Sequence, residues 1–260
     1  MNERQLLMEA AAEVAKRAGR VANRHFGKPI EVERKSDGSP VTLADRAAET
    51  EARTWITQRF PGDAIVGEEF GGDEREGARR WIIDPIDGTK SFVRGVPLWG
   101  TLVGIVQNEE VLAGAAYFPA LDEMLCAAVG LGTWWNGTRA RVSSTRNVAE
   151  ATVLTTGEKF SAAPERRAGW TRLVDAASIA RSWGDCYGYL LVATGRADVM
   201  CDGSLAAWDA AALLPAITEA GGVFTDWSGR RTAFGKSAIA TNDALAAEAR
   251  QLLGAGEVQP

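Results

Sequence analysis

Apolar residues at Leu6, Leu7, Ala10, Val14, Ala18, Val21, Ala22 and Phe26 recur every three or four positions, with Arg and Glu filling the opposite face. A period near 3.6 predicts an amphipathic helix. His25 falls in its last turn, where an imidazole answers the helix macrodipole, and Gly27 supplies the stop. A second helix is predicted over residues 43–60, with Thr42 as its cap and Pro61-Gly62 ending it. The Lys35-Ser-Asp-Gly-Ser-Pro40 cluster between them reads as a turn. Two short apolar runs follow: Ala64-Ile65-Val66-Gly67, ending at Glu68-Glu69, and Trp81-Ile82-Ile83, ending at Asp84-Pro85. Apolar runs without alternation read as strands buried on both faces, here with carboxylates at their carboxyl ends.

Residues 98–129 are rich in Val, Leu and Gly around the turn Gln107-Asn108-Glu109-Glu110, which predicts a hairpin and meander of strands. Residues 130–138 read as a second turn-rich stretch, and Arg141-Val-Ser-Ser-Thr marks a boundary between two lobes near residue 142. Beyond it, strands are predicted near 152–155, 179–183 and 197–200, and helices near 163–177 and 187–194. A helix over residues 208–220 closes at Gly221-Gly222; strand-like runs at 223–225 and 238–240 precede a last helix running to Leu253. Elements mixed in this order predict an α/β or α+β layering of sheets and helices, in one unit spanning residues 1–260.

The 260 residues are 46% hydrophobic and 24% charged, enough to bury a sizeable core. With 29 Lys+Arg against 34 Asp+Glu, the formal net charge of -5 provides no basic field for nucleic acid or anionic lipid. Three cysteines, Cys126, Cys186 and Cys201, contain no C-x-x-C, which argues against a disulfide framework or a thiolate zinc site and suits a reducing compartment. The charged amino terminus and the lack of a long apolar stretch predict a cytoplasmic protein with no membrane span. His25 is the single histidine, so chemistry that needs several imidazoles is excluded. If the chain is an enzyme, carboxylates must carry the reaction.

Asp84-Pro-Ile-Asp-Gly-Thr89 places two carboxylates three residues apart at a strand end and follows them with a glycine and a hydroxyl. Hard cations such as Mg²⁺ take oxygen ligands, and two carboxylates on a proline-stiffened turn can bridge two ions, with the Ile86 carbonyl facing the same space. Gly88 allows backbone amides to approach a phosphate, and a helix starting at Thr89 would add its N-terminal dipole. Read alone, the hexapeptide is equally a surface turn. Glu68 reads alone as part of a solvated acidic turn, while Asp45 and Asp209 read as first-turn helix residues. Taken together, carboxylates at 45, 68, 84, 87 and 209 sit at strand ends and helix starts, where α/β proteins converge their sites.

With GEEF at 67–70, WIIDPIDGT at 81–89, SPVTLAD at 39–45 and AWDAAALLPAITEAGG at 207–222, the chain resembles the magnesium-dependent inositol monophosphatase-like phosphatases over essentially its whole length. The resemblance implies an αβαβα five-layer sandwich and a homodimer. It implies that Glu68, Asp84 and the Ile86 carbonyl hold one Mg²⁺, and that Asp84, Asp87 and Asp209 hold a second. Gly88 and Thr89 would bind phosphate; Asp45 would hydrogen-bond Thr89, and that pair, with Glu68, would orient the attacking water. Lys35 matches a family lysine near a proposed third, weaker metal position. The reaction implied is hydrolysis of a small phosphate ester by two-metal activation of water.

Within that family, residues 89–99 (TKSFVRGVPLW) and 181–189 (RSWGDCYGY) resemble the histidinol-phosphate phosphatase branch, with inositol-1-phosphate or broad-specificity hydrolysis as the alternative. Histidinol phosphate carries an ammonium and an imidazole, so its pocket should offer carboxylates and aromatic faces. Asp185 and Asp202 would supply charge and Trp183 and Tyr187 the faces, beside Asp87, Gly88, Thr89 and Asp209. The alternative reading of Trp183 and Tyr187 is as core aromatics, and of Asp185 as a turn residue.

Overall fold

The structure, a computed structural model, describes residues 2–29, 31–34, 40–72 and 77–259. Lys35, expected near a third metal position, lies outside the described residues. In chain order the elements are α1 (Glu3–Asn23), β1 (Val32–Arg34), β2 (Pro40–Thr42), α2 (Leu43–Arg59), β3 (Ala64–Gly67), β4 (Gly71–Gly72), β5 (Arg80–Asp87) and α3 (Thr89–Phe92). The meander β6 (Gly100–Gln107), β7 (Glu110–Phe118), β8 (Glu123–Ala128), β9 (Gly132–Trp135) and β10 (Thr138–Arg139) follows. The remainder comprises β11 (Thr152–Leu154), α4 (Arg167–Ala176), β12 (Ile179–Arg181), α5 (Asp185–Ala193), β13 (Val199–Asp202), α6 (Ala207–Ala210), α7 (Leu213–Thr218), β14 (Gly222–Thr225), β15 (Ala238–Asn242) and α8 (Ala246–Leu253).

Eight strands form one sheet in the order β10-β9-β8-β7-β6-β5-β3-β4, and five form another in the order β12-β11-β13-β15-β14. Strand alternation sorts their side chains into three cores. On β5, Trp81 and Ile83 join a core with Ala11, Val14 and Ala18 of α1 and Ala48, Ala52 and Ile56 of α2. Ile82, between them, faces the opposite way, into a core with Leu190 of α5, Leu213 and Ile217 of α7, and Met200, Phe224, Ala238 and Ala240 of the second sheet. The other face of that sheet, Val153, Val199, Cys201 and Ile239, packs on Trp170 and Leu173 of α4 and Leu253 of α8. The layers therefore run helices, sheet, helices, sheet, helices, the αβαβα order expected.

Local signals account for most elements. Thr42 caps α2 as expected: its hydroxyl accepts the Ala44 N–H at 3.1 Å, and Asp45 Oδ2 accepts the Thr42 N–H at 2.7 Å. Helix α5 is buried almost all round because it lies between the two sheets. Helix α1 ends at Asn23, before His25, although the His25 N–H still reaches the Ala22 carbonyl at 2.9 Å. Two expectations hold only in part. The stretch at 130–138 does hold turns, at 130–131 and 136–137, but also β9 and the start of β10, which extend the larger sheet. The helix expected over 208–220 is broken into α6 and α7, because Pro215 has no N–H to donate to the Ala211 carbonyl.

Candidate active site

Strand β5 delivers the central pair of carboxylates. Three positions apart on a regular strand, Asp84 and Asp87 would point to opposite faces. The register against β6 shifts between them: Asp84 pairs with Leu102 and Asp87 with Gly100, so three steps on β5 oppose two on β6. This bulge turns both carboxylates to the same side. The Thr101 hydroxyl donates to the Pro85 carbonyl at 2.7 Å, and Asp84 Oδ1 accepts the Ile86 N–H at 2.9 Å. The chain then turns at Gly88, whose φ of +86° is a left-handed conformation that favours glycine, and enters α3.

Asp209 joins the pair from the first turn of α6, held by the Ala206 N–H, which donates to its Oδ2 at 2.8 Å. Asp84, Asp87 and Asp209 each offer an oxygen, all within 4.8 Å of one another. They line a cavity of about 380 Å³ with Glu68, Ile86, Gly88, Thr89, Lys90, Asp185 and Trp208. Desolvation, and then the charges of Glu68, Asp87 and Asp209, push Asp84 well above the usual carboxylate range. Burial, then Asp185 and Asp209, raise Asp87 in the same way, and burial pushes Asp209 up to about 6. Like charges so placed call for a cation.

Glu68 faces the cavity from the loop after β3 and repels Asp84, Asp209 and Asp45 without belonging to the tight trio. The Ile86 carbonyl accepts the Thr89 hydroxyl at 3.0 Å. The hydrogen bond expected between Asp45 and Thr89 is therefore replaced here: Asp45 Oδ2 instead accepts the hydroxyl of its own cap, Thr42, at 2.6 Å. Burial pushes Asp45 up to about 6.

Asp185 opens α5 with φ +50°, strained for a residue with a side chain and held by its N–H on Thr156 Oγ1 at 2.8 Å. The next N–H, of Cys186, donates to Asp87 Oδ2 at 2.5 Å, so α5 and β5 are tied through the site. The Asp185 carboxylate accepts no hydrogen bond from the described residues and is pushed up to about 7 by burial and then by Asp202, while Lys90 pulls it down. Asp202 differs from expectation. Its two oxygens are used by the Thr156 N–H and the Tyr189 hydroxyl, both at 3.0 Å, and it backs the site instead of lining the cavity. Tyr187 is a core aromatic: its ring packs edge-on against Phe118, 5.5 Å between centroids, and its hydroxyl donates to Glu123. Trp183 is exposed beneath the Arg181 guanidinium; the aromatic face lining the cavity is Trp208. Sequence reading passed over Lys90, the one cation lining the cavity among the described residues, although it directly follows Thr89.

The model of the inositol monophosphatase family matches residues 3–255. The chain belongs to that family. The histidinol-phosphatase of Chlorobaculum parvum is 38% identical to it over 252 residues, 96% of this chain and 97% of that protein. A Thermotoga maritima protein named fructose-1,6-bisphosphatase/inositol-1-monophosphatase is 35% identical, over 90% of this chain and 91% of its own length. Among solved structures, the extragenic suppressor protein suhB of Bartonella henselae superposes with a TM-score of 0.89 at 28% identity, covering 95% of this chain and 98% of that one.

Inositol monophosphatase-family proteins are phosphatases of small phosphate esters and are metal-dependent, typically on Mg²⁺. The donor set here fits such an ion: three converging carboxylates, all-oxygen chemistry, and mutual repulsion that a divalent cation would cancel. Among the described residues, no helix is long and apolar enough to cross a membrane.

Proposed function

We propose that this phosphatase hydrolyses L-histidinol phosphate to L-histidinol and phosphate, a step of histidine biosynthesis, as a Mg²⁺-dependent phosphomonoesterase. The observation that carries the reading is the Asp185 carboxylate, which lines the cavity beside Gly88 and takes no hydrogen bond from the described residues. A substrate bearing an ammonium group would donate a charge-assisted hydrogen bond to it; an inositol hydroxyl would pair with it more weakly. The 38% identity to a protein named histidinol-phosphatase supports the same substrate, and the 35% relative with the other name keeps inositol 1-phosphate as the alternative.

In this reading Glu68, Asp84 and the Ile86 carbonyl would hold one Mg²⁺, and Asp84, Asp87 and Asp209 would hold another. Such ions lower the pKa of bound water and neutralise charge developing on phosphoryl and leaving oxygens. The chain's own groups do the remaining work. Gly88 and Thr89 present backbone N–H groups that have no acceptor in a preceding helical turn, and these receive the phosphate oxygens. Lys90 adds a positive side chain at the cavity. The Thr89 hydroxyl would accept a hydrogen bond from one proton of the attacking water and orient it, the Glu68 carboxylate would take the other proton as the water oxygen bonds to phosphorus in line, and the leaving alcohol oxygen would take a proton from solvent as its bond to phosphorus breaks. Asp45, fastened to Thr42, sets the charge behind Glu68. Asp185 holds the ammonium, so the leaving hydroxyl is kept opposite the attacking water.

The same proposal treats residues 1–260 as one cytoplasmic phosphatase unit with two lobes dividing near residue 142, acting as a homodimer; sedimentation equilibrium tests the last point. The decisive experiment for the substrate is phosphate release from histidinol phosphate and inositol 1-phosphate at equal concentration with saturating Mg²⁺. A preference for histidinol phosphate is expected, and a preference for inositol 1-phosphate overturns the assignment.

A further inference from the structure

Glu49 is a carboxylate with no solvent exposure, one helical turn beyond Asp45 on α2, and it does not line the site cavity. A charge so buried requires partners, and among the described residues its partners belong to one clamp. Arg53 Nε donates to its Oε1 at 2.7 Å, while the backbone N–H groups of Glu69 and Phe70 donate to Oε2 and Oε1 at 2.8 and 3.3 Å. The Arg53 guanidinium also donates to the Gly71 carbonyl and stands 5.9 Å from the centre of the Phe70 ring. Gly67 completes the fit: a Cβ there would lie 2.0 Å from Glu49 Oε1, so the carboxylate occupies the space a side chain would need. Glu68 sits between these anchors, and its own N–H is held by the Ile83 carbonyl at 3.1 Å.

We propose that Glu49, with Arg53, is a positioning residue that fixes the backbone of the Glu68 loop in the geometry required for divalent-cation binding. The clamp acts from behind, gripping residues 69–71 so that the Glu68 carboxylate is delivered to the acidic trio without an entropic cost at each binding event. Arg53 balances the Glu49 charge directly, with its Nε 2.7 Å from Oε1. The proposal rests on Glu68 being a metal ligand, as set out above.

The test is Mg²⁺ binding by calorimetry on the substrate-free protein, with the metal-free melting temperature measured alongside. Glu49→Gln is expected to weaken Mg²⁺ binding by about 10- to 100-fold, the scale for groups that hold metal ligands in place. kcat is expected to return to within a few-fold of the parent once Mg²⁺ saturates. Gly67→Ala, which drives a methyl into the carboxylate, should weaken Mg²⁺ binding similarly. Combining it with Glu49→Ala should be no worse than Glu49→Ala alone, because the clash is gone. If Glu49→Gln fails to fold, Arg53→Gln at the outer side of the clamp takes its place, with a several-fold loss expected. A lower melting temperature with unchanged Mg²⁺ affinity overturns the proposal and leaves Glu49 a structural ion-pair partner. Glu68→Gln separates the two levels: if it leaves Mg²⁺ affinity unchanged, the ligand reading itself fails. If it weakens binding while the clamp variants do not, only the positioning role fails.

Discussion

Asp84 and Thr89 are five positions apart yet should fail in different ways when changed. Asp84→Asn removes one of three converging donors, so Mg²⁺ binding followed by calorimetry is expected to be lost together with turnover. Thr89→Ala leaves the trio intact and removes the hydroxyl now resting on the Ile86 carbonyl. Its Mg²⁺ affinity should stay within a few-fold while kcat falls about 10²-fold, the scale of general acid–base assistance; unchanged kcat refutes the role. Asp185→Asn tests specificity. A hydrogen bond to a charged group contributes about 1.5–3 kcal/mol, so kcat/KM for histidinol phosphate should fall about 10- to 150-fold. Hydrolysis of glycerol 2-phosphate, whose alcohol is uncharged, should change only a few-fold. An equal fall for both esters makes Asp185 structural.

Among the elements, β5 decides the site because its bulge points two carboxylates the same way. The bulge is secured by Thr101, fully buried, whose hydroxyl satisfies the Pro85 carbonyl. Thr101→Val keeps the shape and leaves that carbonyl unpaired, at about 1–3 kcal/mol. A chain of this size loses about 2–4 °C of Tm per kcal/mol, so a fall of several degrees is expected, with weaker Mg²⁺ binding as the carboxylates lose their register. Thermal melting and calorimetry read both effects, and a drop in Tm with intact metal affinity shows that the bulge holds without Thr101. Helices α2 and α5 act as the other two supports: α2 carries Asp45 and Glu49 one turn apart, and α5 ties the Cys186 N–H to Asp87.

At the scale of the whole molecule, the site carboxylates make stability depend on pH and metal together. Asp45 and Asp209 are pushed up to about 6, and Asp185 to about 7, from an ordinary value of 3.8. The metal-free folded chain therefore holds more protons than the unfolded chain across this window. These groups contribute most to stability below their unfolded pKa, and the contribution is lost as pH rises through about 6 to 7. Metal-free Tm should fall from pH 5 to pH 7.5, and less steeply in Asp209→Asn. A Mg²⁺ concentration 100 times the Kd at pH 7.5 stabilises there by about 2.7 kcal/mol, or about 5–10 °C for a chain of this size, and the same concentration should stabilise less at pH 5, where protonated carboxylates weaken binding. An equal Mg²⁺ shift at both pH values refutes the coupling. The local features of this molecule were legible in its sequence. Helix periodicity, the Thr42 cap, the doubly buried run Trp81-Ile82-Ile83 and the Asp84-to-Thr89 turn all arise from interactions between near neighbours. What lay beyond reach was which polar groups meet across the layers. The Cys186 N–H finds Asp87 99 residues away, and Asp202 is taken up by Tyr189 and Thr156. Tyr187 closes on Phe118, and Glu49 grips a loop some twenty positions on. Asp84, Asp87 and Asp209 each give one oxygen to a backbone N–H and keep the other for a ligand, whereas both oxygens of Asp202 are taken. Donors are assigned by the packing of sheets and helices remote in the chain, so tertiary structure alone could separate Asp185, left open to the cavity, from Asp202, already satisfied.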